Sequence, residues 1–296
     1  MSLSSPWQAG VLKQRLYGIA ERHKLSVQER STGEVSRFDF TADGVRTHTI
    51  HLILPLPSAP LGPHPALPIR QAAPKLAIII DDLGHDRAAA DSVLELPFPV
   101  TFSVLPDLPF SSEVAEEAYR RGQEVILHLP MEPESEGHGS QAVGSEPTEL
   151  RIGMRAGQVA STVNGMLETV PHATGVNNHQ GSRATADRAL MQELMPLLYA
   201  RGLFFIDSRT TAATVAYEAA ERSGVRAASR KVFLDDTATR DAVLGQLDLA
   251  VRDARRDGSA IAIGHPHPAT IAALAEGVPR LKSRGIRLVF ASDLVR

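Results

Sequence analysis

The sequence predicts an α/β protein: repeated strand and helix units from Lys75 onward, preceded by a small α+β module. Three observations carry that expectation. Leu76-Ala-Ile-Ile-Ile80 is an unbroken apolar run that stops at two adjacent carboxylates, Asp81 and Asp82. Such a run reads as a strand buried on both faces, as in parallel sheets and barrels. Further buried runs then alternate with amphipathic stretches of helical period over residues 75–296, the pattern of βα units joined by right-handed crossovers. Finally, seven prolines lie between Pro55 and Pro74, which makes this stretch a stiff, extended linker. The domain reading is therefore a module at 1–54, a linker at 55–74 and a main domain at 75–296. The spacing leaves an open doubly wound sheet and a closed barrel both standing.

Composition narrows the function. The 296 residues are 43% hydrophobic, enough for a substantial core, and 31 basic against 34 acidic residues give a net charge of -3. No basic block points to a nucleic-acid partner, and no feature points to a protein partner. No apolar run reaches the roughly 18 residues that span a bilayer, and Met1 to Pro6 lacks the basic and apolar regions of an export signal. With no cysteine in the chain, disulfides, thiolate metal sites and cysteine nucleophiles are excluded, so any metal must be held by His and carboxylate.

Within the module, apolar residues from Pro6 to Lys24 recur at helical spacing, and Ser26 to Gln28, Ser36 to Phe40 and Val45 to Leu54 alternate as strands. His48 and His51 share the last of these at i, i+3, point to opposite faces and are read as surface residues. Beyond the linker, strands are expected at 76–80, 100–104, 124–127, 174–177, 203–206, near 231–234, at 260–263 and at 287–291. Ser111-Ser112 and Thr185 are the expected caps of two helices, and a third runs from Asp241 to Asp257, stopped by Gly258. Glu134 to Leu150, rich in Gly and Ser, breaks the alternation and reads as a loop over the site.

The polar residues that follow these strands belong to one rim, because all C-terminal ends of parallel strands lie together. They are Asp81 and Asp82; His128 and Glu132; Asn177, Asn178 and His179; Asp207, Ser208 and Arg209; and His265 and His267. An oxygen and nitrogen set of this kind suits a divalent cation with open positions, which activates water and polarises a carbonyl. Hydrolysis then needs a base and an acid besides the ligands. No Gly-x-Ser-x-Gly, phosphate-binding or dinucleotide motif competes.

These motifs carry a resemblance. Ile80-Asp-Asp-Leu-Gly84, His128-Leu-Pro-Met-Glu-Pro133, Gly175-Val-Asn-Asn-His-Gln-Gly-Ser-Arg183, Phe204-Phe-Ile-Asp-Ser-Arg-Thr210, Val232-Phe-Leu-Asp-Asp236 and Ile263-Gly-His-Pro-His-Pro268 resemble, in order, those of the divergent polysaccharide deacetylases, relatives of the nodulation-type carbohydrate esterases. The resemblance spans Lys75 to Arg296. It implies a distorted seven-stranded (β/α) barrel of the glycoside hydrolase and deacetylase type, and a metal-dependent hydrolase that removes acetyl groups from N-acetylated sugars of a polysaccharide or cell-wall glycan. Carried over by position, Asp81 is the expected general base, Asp82 and His128 are metal ligands, and His265 is the general acid with Asp207 orienting it. The wider esterase family has a His where Glu132 stands, so Glu132 or His179 is expected to complete the metal site. A carboxylate there makes the site more oxygen-rich, so manganese stands as the alternative to zinc. Asn177, Asn178, Arg209 and His267 are expected to meet the glycan. The family's Arg-x-Pro-x-Gly motif is replaced by the Asn-Asn-His stretch. The resemblance also implies a periplasmic setting. The second reading is a catalytically weak or inactive domain that binds glycan or a partner protein; a phosphoesterase would bring more Lys or Arg to the rim.

Overall fold

A computed structural model describes residues 6–32, 35–53, 73–134, 148–281 and 283–296. The chain divides into two compact units, residues 1–70 and 71–296. In the first, α1 (Pro6–Arg22) precedes an antiparallel sheet of β1 (Ser26–Thr32), β2 (Val35–Ala42) and β3 (Val45–Ile53). Strand alternation places Phe38 and Phe40 on one face of β2, where they form a buried core with Leu16 and Ala20 of α1. Asp43 and Gly44, at φ 49° and 77°, supply the left-handed pair that a two-residue hairpin needs. His48 and His51 are exposed. Of the Pro-rich linker, residues 55–72 lie outside the described residues.

The second unit alternates strand and helix: β4 (Lys75–Leu83), α2 (Arg87–Leu94), β5 (Thr101–Val104), α3 (Ser111–Arg120), β6 (Glu124–Met131), α4 (Ala156–Thr169), β7 (Gly175–Gln180), α5 (Arg188–Ala200), β8 (Phe204–Asp207), α6 (Ala216–Arg222), β9 (Ala227–Ser229), β10 (Val232–Phe233), α7 (Arg240–Asp257), β11 (Ser259–Gly264), α8 (Pro268–Gly277) and β12 (Arg287–Val289). The strands pair in parallel in the order β10-β11-β4-β5-β6-β7-β8-β9, with β12 also against β4. Residues 227–233 join the two ends of this sheet. β9 pairs with β8 and, after Arg230 and Lys231, β10 pairs with β11. Taken as one bent strand, β9 and β10 bring the wall to seven and curl the sheet into a distorted barrel. That decides between the two architectures that spacing left standing.

The apolar run of β4 is buried because it serves two cores. Leu76, Ile78 and Ile80 pack outward under the helices, while Ala77 and Ile79 face inward with Ile126, Phe204, Ile206, Ile261 and Ile263. Each of the Leu, Ile and Phe side chains among them contributes about 1.5–3 kcal/mol of transfer free energy. A charge within the run would therefore open both layers.

Three local expectations are corrected. Ser111 is the first residue of α3 rather than its cap, and its hydroxyl donates to Leu105 O at 2.6 Å. α5 is capped by Asp187, which accepts from Leu190 N, whereas Thr185 donates to Gly181 O. α7 begins at Arg240, and Gly258 ends it at φ 83° as expected. Residues 135–147 of the expected loop over the site lie outside the described residues. Its base is tied to β6, with Glu132 N donating to Leu150 O and Leu150 N to Pro130 O. Among the described residues, no helix is long and apolar enough to cross a membrane.

Candidate active site

Consecutive side chains on a strand point to opposite faces, so Asp81 and Asp82 could share a site only if the strand were distorted. It is: the pairing of β4 with β5 shifts register between Ile80 and Leu83, and Asp82 sits at φ 58°. A non-glycine residue held there costs about 1–3 kcal/mol, strain that commonly marks functional sites. Gln180, the last residue of β7, and Arg209, two residues after β8, both adopt φ 51°. Asp86, not Asp82, caps α2 by accepting from Ala88 N and Ala89 N. The Asp82 carboxylate is thus left to the rim.

There it meets two imidazoles. Asp82 Oδ1 lies 3.2 Å from His128 Nε2 and 3.1 Å from His179 Nδ1, and those two nitrogens are 3.1 Å apart. Asp82 Oδ1 is buried and, beyond these two ring nitrogens, has no hydrogen-bond partner among the described residues. A buried acceptor in that state costs about 1–3 kcal/mol, and more when charged. Burial pushes the Asp82 pKa up, but His128 and His179 outweigh it and hold the carboxyl well below its usual range. Burial likewise disfavours imidazolium at His128, yet the charges of Asp81 and Asp82 raise its pKa. These three donors fit a divalent cation: two nitrogens and one oxygen converge, and the orphaned oxygen needs a positive partner. Glu132 is not brought to this group. Its carboxylate accepts from Arg183 Nη1 at 2.6 Å and from Ile152 N at 2.8 Å.

Asp81 is buried beside the cluster, its Oδ2 3.7 Å from His128 Nε2. His265 also approaches the cluster, with Nε2 3.7 Å from Asp82 Oδ2. Asp207 does not orient it. That carboxylate accepts from Arg209 N and Thr214 Oγ1, within its own loop. The partner of His265 is Asp235, just after β10: Oδ1 is 3.0 Å from His265 Nδ1, and Oδ2 accepts from His265 N at 2.6 Å and Thr270 Oγ1 at 2.7 Å. Burial opposes a charge on His265, but the bond to Asp235 and the charges of Asp82, Asp235 and Asp81 lift its pKa to about 9. Asp235 lies in the Val232-Phe-Leu-Asp-Asp236 motif, and its place just past a strand is the sequence signal for its role.

The residues expected to meet glycan divide. Asn177 and Asn178 are buried at 0% and 1% exposure, too deep to touch a substrate. Asn178 ties two rim turns together, donating to Gln180 O and accepting from Ser208 N. Arg209 lines a different pocket of about 490 Å³ with Arg230 and Lys231. His267 does border the cluster. A pocket of about 520 Å³ is lined by Asp82, His179, His265 and His267 together with the apolar Leu83, Leu105, Leu108 and Pro266.

A curled parallel barrel with a His and Asp cluster on its C-terminal rim is an α/β domain with a candidate metal centre. A family model described as divergent polysaccharide deacetylase matches residues 78–295, and the chain belongs to that family. It is 41% identical over 226 residues to the uncharacterized protein YibQ of Escherichia coli K12, covering 75% of this chain and 68% of that one. It is also 41% identical over 225 residues to an uncharacterized protein of Haemophilus influenzae Rd, covering 76% and 78%. The crystal structure of an uncharacterized protein from Agrobacterium tumefaciens C58 superposes with a TM-score of 0.71 at 27% identity, over 75% of this chain and 89% of that one.

Proposed function

We propose that this protein is a metal-dependent amide hydrolase that removes acetyl groups from the N-acetylated sugars of a cell-wall glycan, in the periplasm. The observation that carries the reading is the convergence of the buried Asp82 Oδ1 with His128 Nε2 and His179 Nδ1, with Asp81 and the His265–Asp235 pair close by. Asp82, His128 and His179 would hold the metal. Two imidazoles and one carboxylate favour zinc over manganese, since Glu132 adds no oxygen. The metal supplies Lewis acidity toward the acetamide carbonyl and lowers the pKa of water.

The side chains do the rest. Asp81 takes the proton of the attacking water as the carbon–oxygen bond forms. His265, held protonated at neutral pH by Asp235, gives its Nε2 proton to the departing nitrogen as the carbon–nitrogen bond breaks. The products are acetate and a free amino sugar. Leu83, Leu105 and Leu108 in the lining of this pocket would suit the acetyl methyl, and His267, which lines the same pocket, would meet the sugar.

The test is acetate release from chitin and peptidoglycan oligomers by purified protein, with Asp82→Ala as control. Release that the substitution abolishes supports the reading. A wild-type protein that carries metal yet frees no acetate from any N-acetylated glycan would refute it in favour of a binding domain.

A further inference from the structure

One side chain from a third strand holds both Asp81 and His128. Asn177, in β7, is completely buried. Its Nδ2 donates to Asp81 Oδ1 at 2.8 Å and Ser208 Oγ at 3.3 Å. Its Oδ1 accepts from Ser103 Oγ at 2.7 Å and lies 2.9 Å from His128 Nδ1. An ionised carboxylate only accepts, so the amide must turn its NH2 toward Asp81 and its oxygen toward His128. Both donors and both lone pairs are then used, and the amide has no capacity left for a substrate.

We infer that Asn177 is a positioning residue with two separable tasks. Its oxygen keeps the proton of His128 on Nδ1, so that Nε2 presents a lone pair toward Asp82 and His179. Its NH2 fixes the carboxylate of Asp81. This deepens the metal-hydrolase reading and rests on it. Asparagine suits the position because the two neighbours make opposite demands: one requires an acceptor, the other a donor. Aspartate would satisfy His128 and set a like charge against Asp81, while an apolar residue of similar size would satisfy neither.

The experiment compares wild type, Asn177→Asp and Asn177→Leu by zinc affinity, measured against a competing chelator, and by acetate release. Partners of ligating histidines typically change metal affinity by about 10–100-fold when removed. Asn177→Leu should therefore bind zinc about 10–100-fold more weakly. Asn177→Asp should keep zinc affinity at or above the wild-type level while acetate release drops at least about tenfold, the lower end of what metal-site partners contribute. Equal loss of zinc affinity in both variants, or none in Asn177→Leu, would overturn the inference. Should either variant fold poorly, ¹⁵N-histidine NMR of the zinc-loaded wild type decides: His128 is expected protonated at Nδ1 and zinc-bound at Nε2, and the reverse overturns the inference. A wild type that binds no zinc instead overturns the function reading and this inference together.

Discussion

His265 and Asp235 are joined twice: the imidazole Nδ1 meets Asp235 Oδ1 at 3.0 Å, and the backbone amide of His265 donates to Oδ2 at 2.6 Å. The second bond fixes the carboxylate, and the first fixes the ring plane and keeps the imidazolium charged. Asp235→Asn is expected to lower kcat by about 10²-fold or more, the scale of a misplaced general acid, with KM little changed. Steady-state acetate release checks it. An unaltered kcat would remove Asp235 from the mechanism.

The raised pKa of His265 has a sign that can be read in stability. Its folded value of about 9 lies above the ordinary 6.5, so its contribution is fully present below about pH 6.5 and is lost as pH rises through about 9. In the presence of a chelator, the melting temperature of the wild type should fall relative to that of His265→Gln across this window. Parallel melting curves for the two proteins would contradict the electrostatic account of the pair.

Much of this site was legible because parallel strands deliver their C-terminal ends to one rim. Asp81, Asp82, His128 and His265 each follow a recognisable apolar run, and His179 follows the shorter strand signal of Thr174 to Asn177, so their meeting could be expected. What could not be read depended on where side chains turn. Glu132 holds a His position of the wider esterase family, yet Arg183 and the Ile152 amide take its carboxylate. Asp207 and Asp235 both end strands. The left-handed turn at Arg209 keeps Asp207 in its own loop, whereas the two-residue β10 aims Asp235 at the next strand's histidine. Asn177 is expected from its strand-end position to meet the glycan; it is buried because its four hydrogen-bonding positions are filled from within. The barrel itself was ambiguous because β9 and β10 are too short to announce that they close the sheet.

A glycine beneath the site tests the packing that positions β7. A Cβ on Gly175 would come within 2.5 Å of Phe204 Cδ2, and Phe204 is buried in the inner core. Gly175→Ala should cost about 1–3 kcal/mol, the scale of an overpacked core. Urea unfolding measures it, and a variant as stable as wild type would show that the ring yields freely.

The small module has its own core of Leu16, Ala20, Phe38 and Phe40, with none of the barrel's core residues among them. Removal of residues 1–70 should therefore leave a protein that unfolds cooperatively and retains its metal. Calorimetry of the truncated chain checks this. Loss of cooperative unfolding would assign the module to the barrel's folding unit.

The central claim is that Asp82, His128 and His179 form one divalent-metal site from which Glu132 is excluded, and metal content measured by elemental mass spectrometry tests it most directly. The wild type and Glu132→Gln are expected to carry one ion per chain, with zinc ahead of manganese, while Asp82→Ala and His179→Ala carry none. A His179→Ala protein that keeps its ion, alongside a Glu132→Gln protein that loses it, would contradict the account.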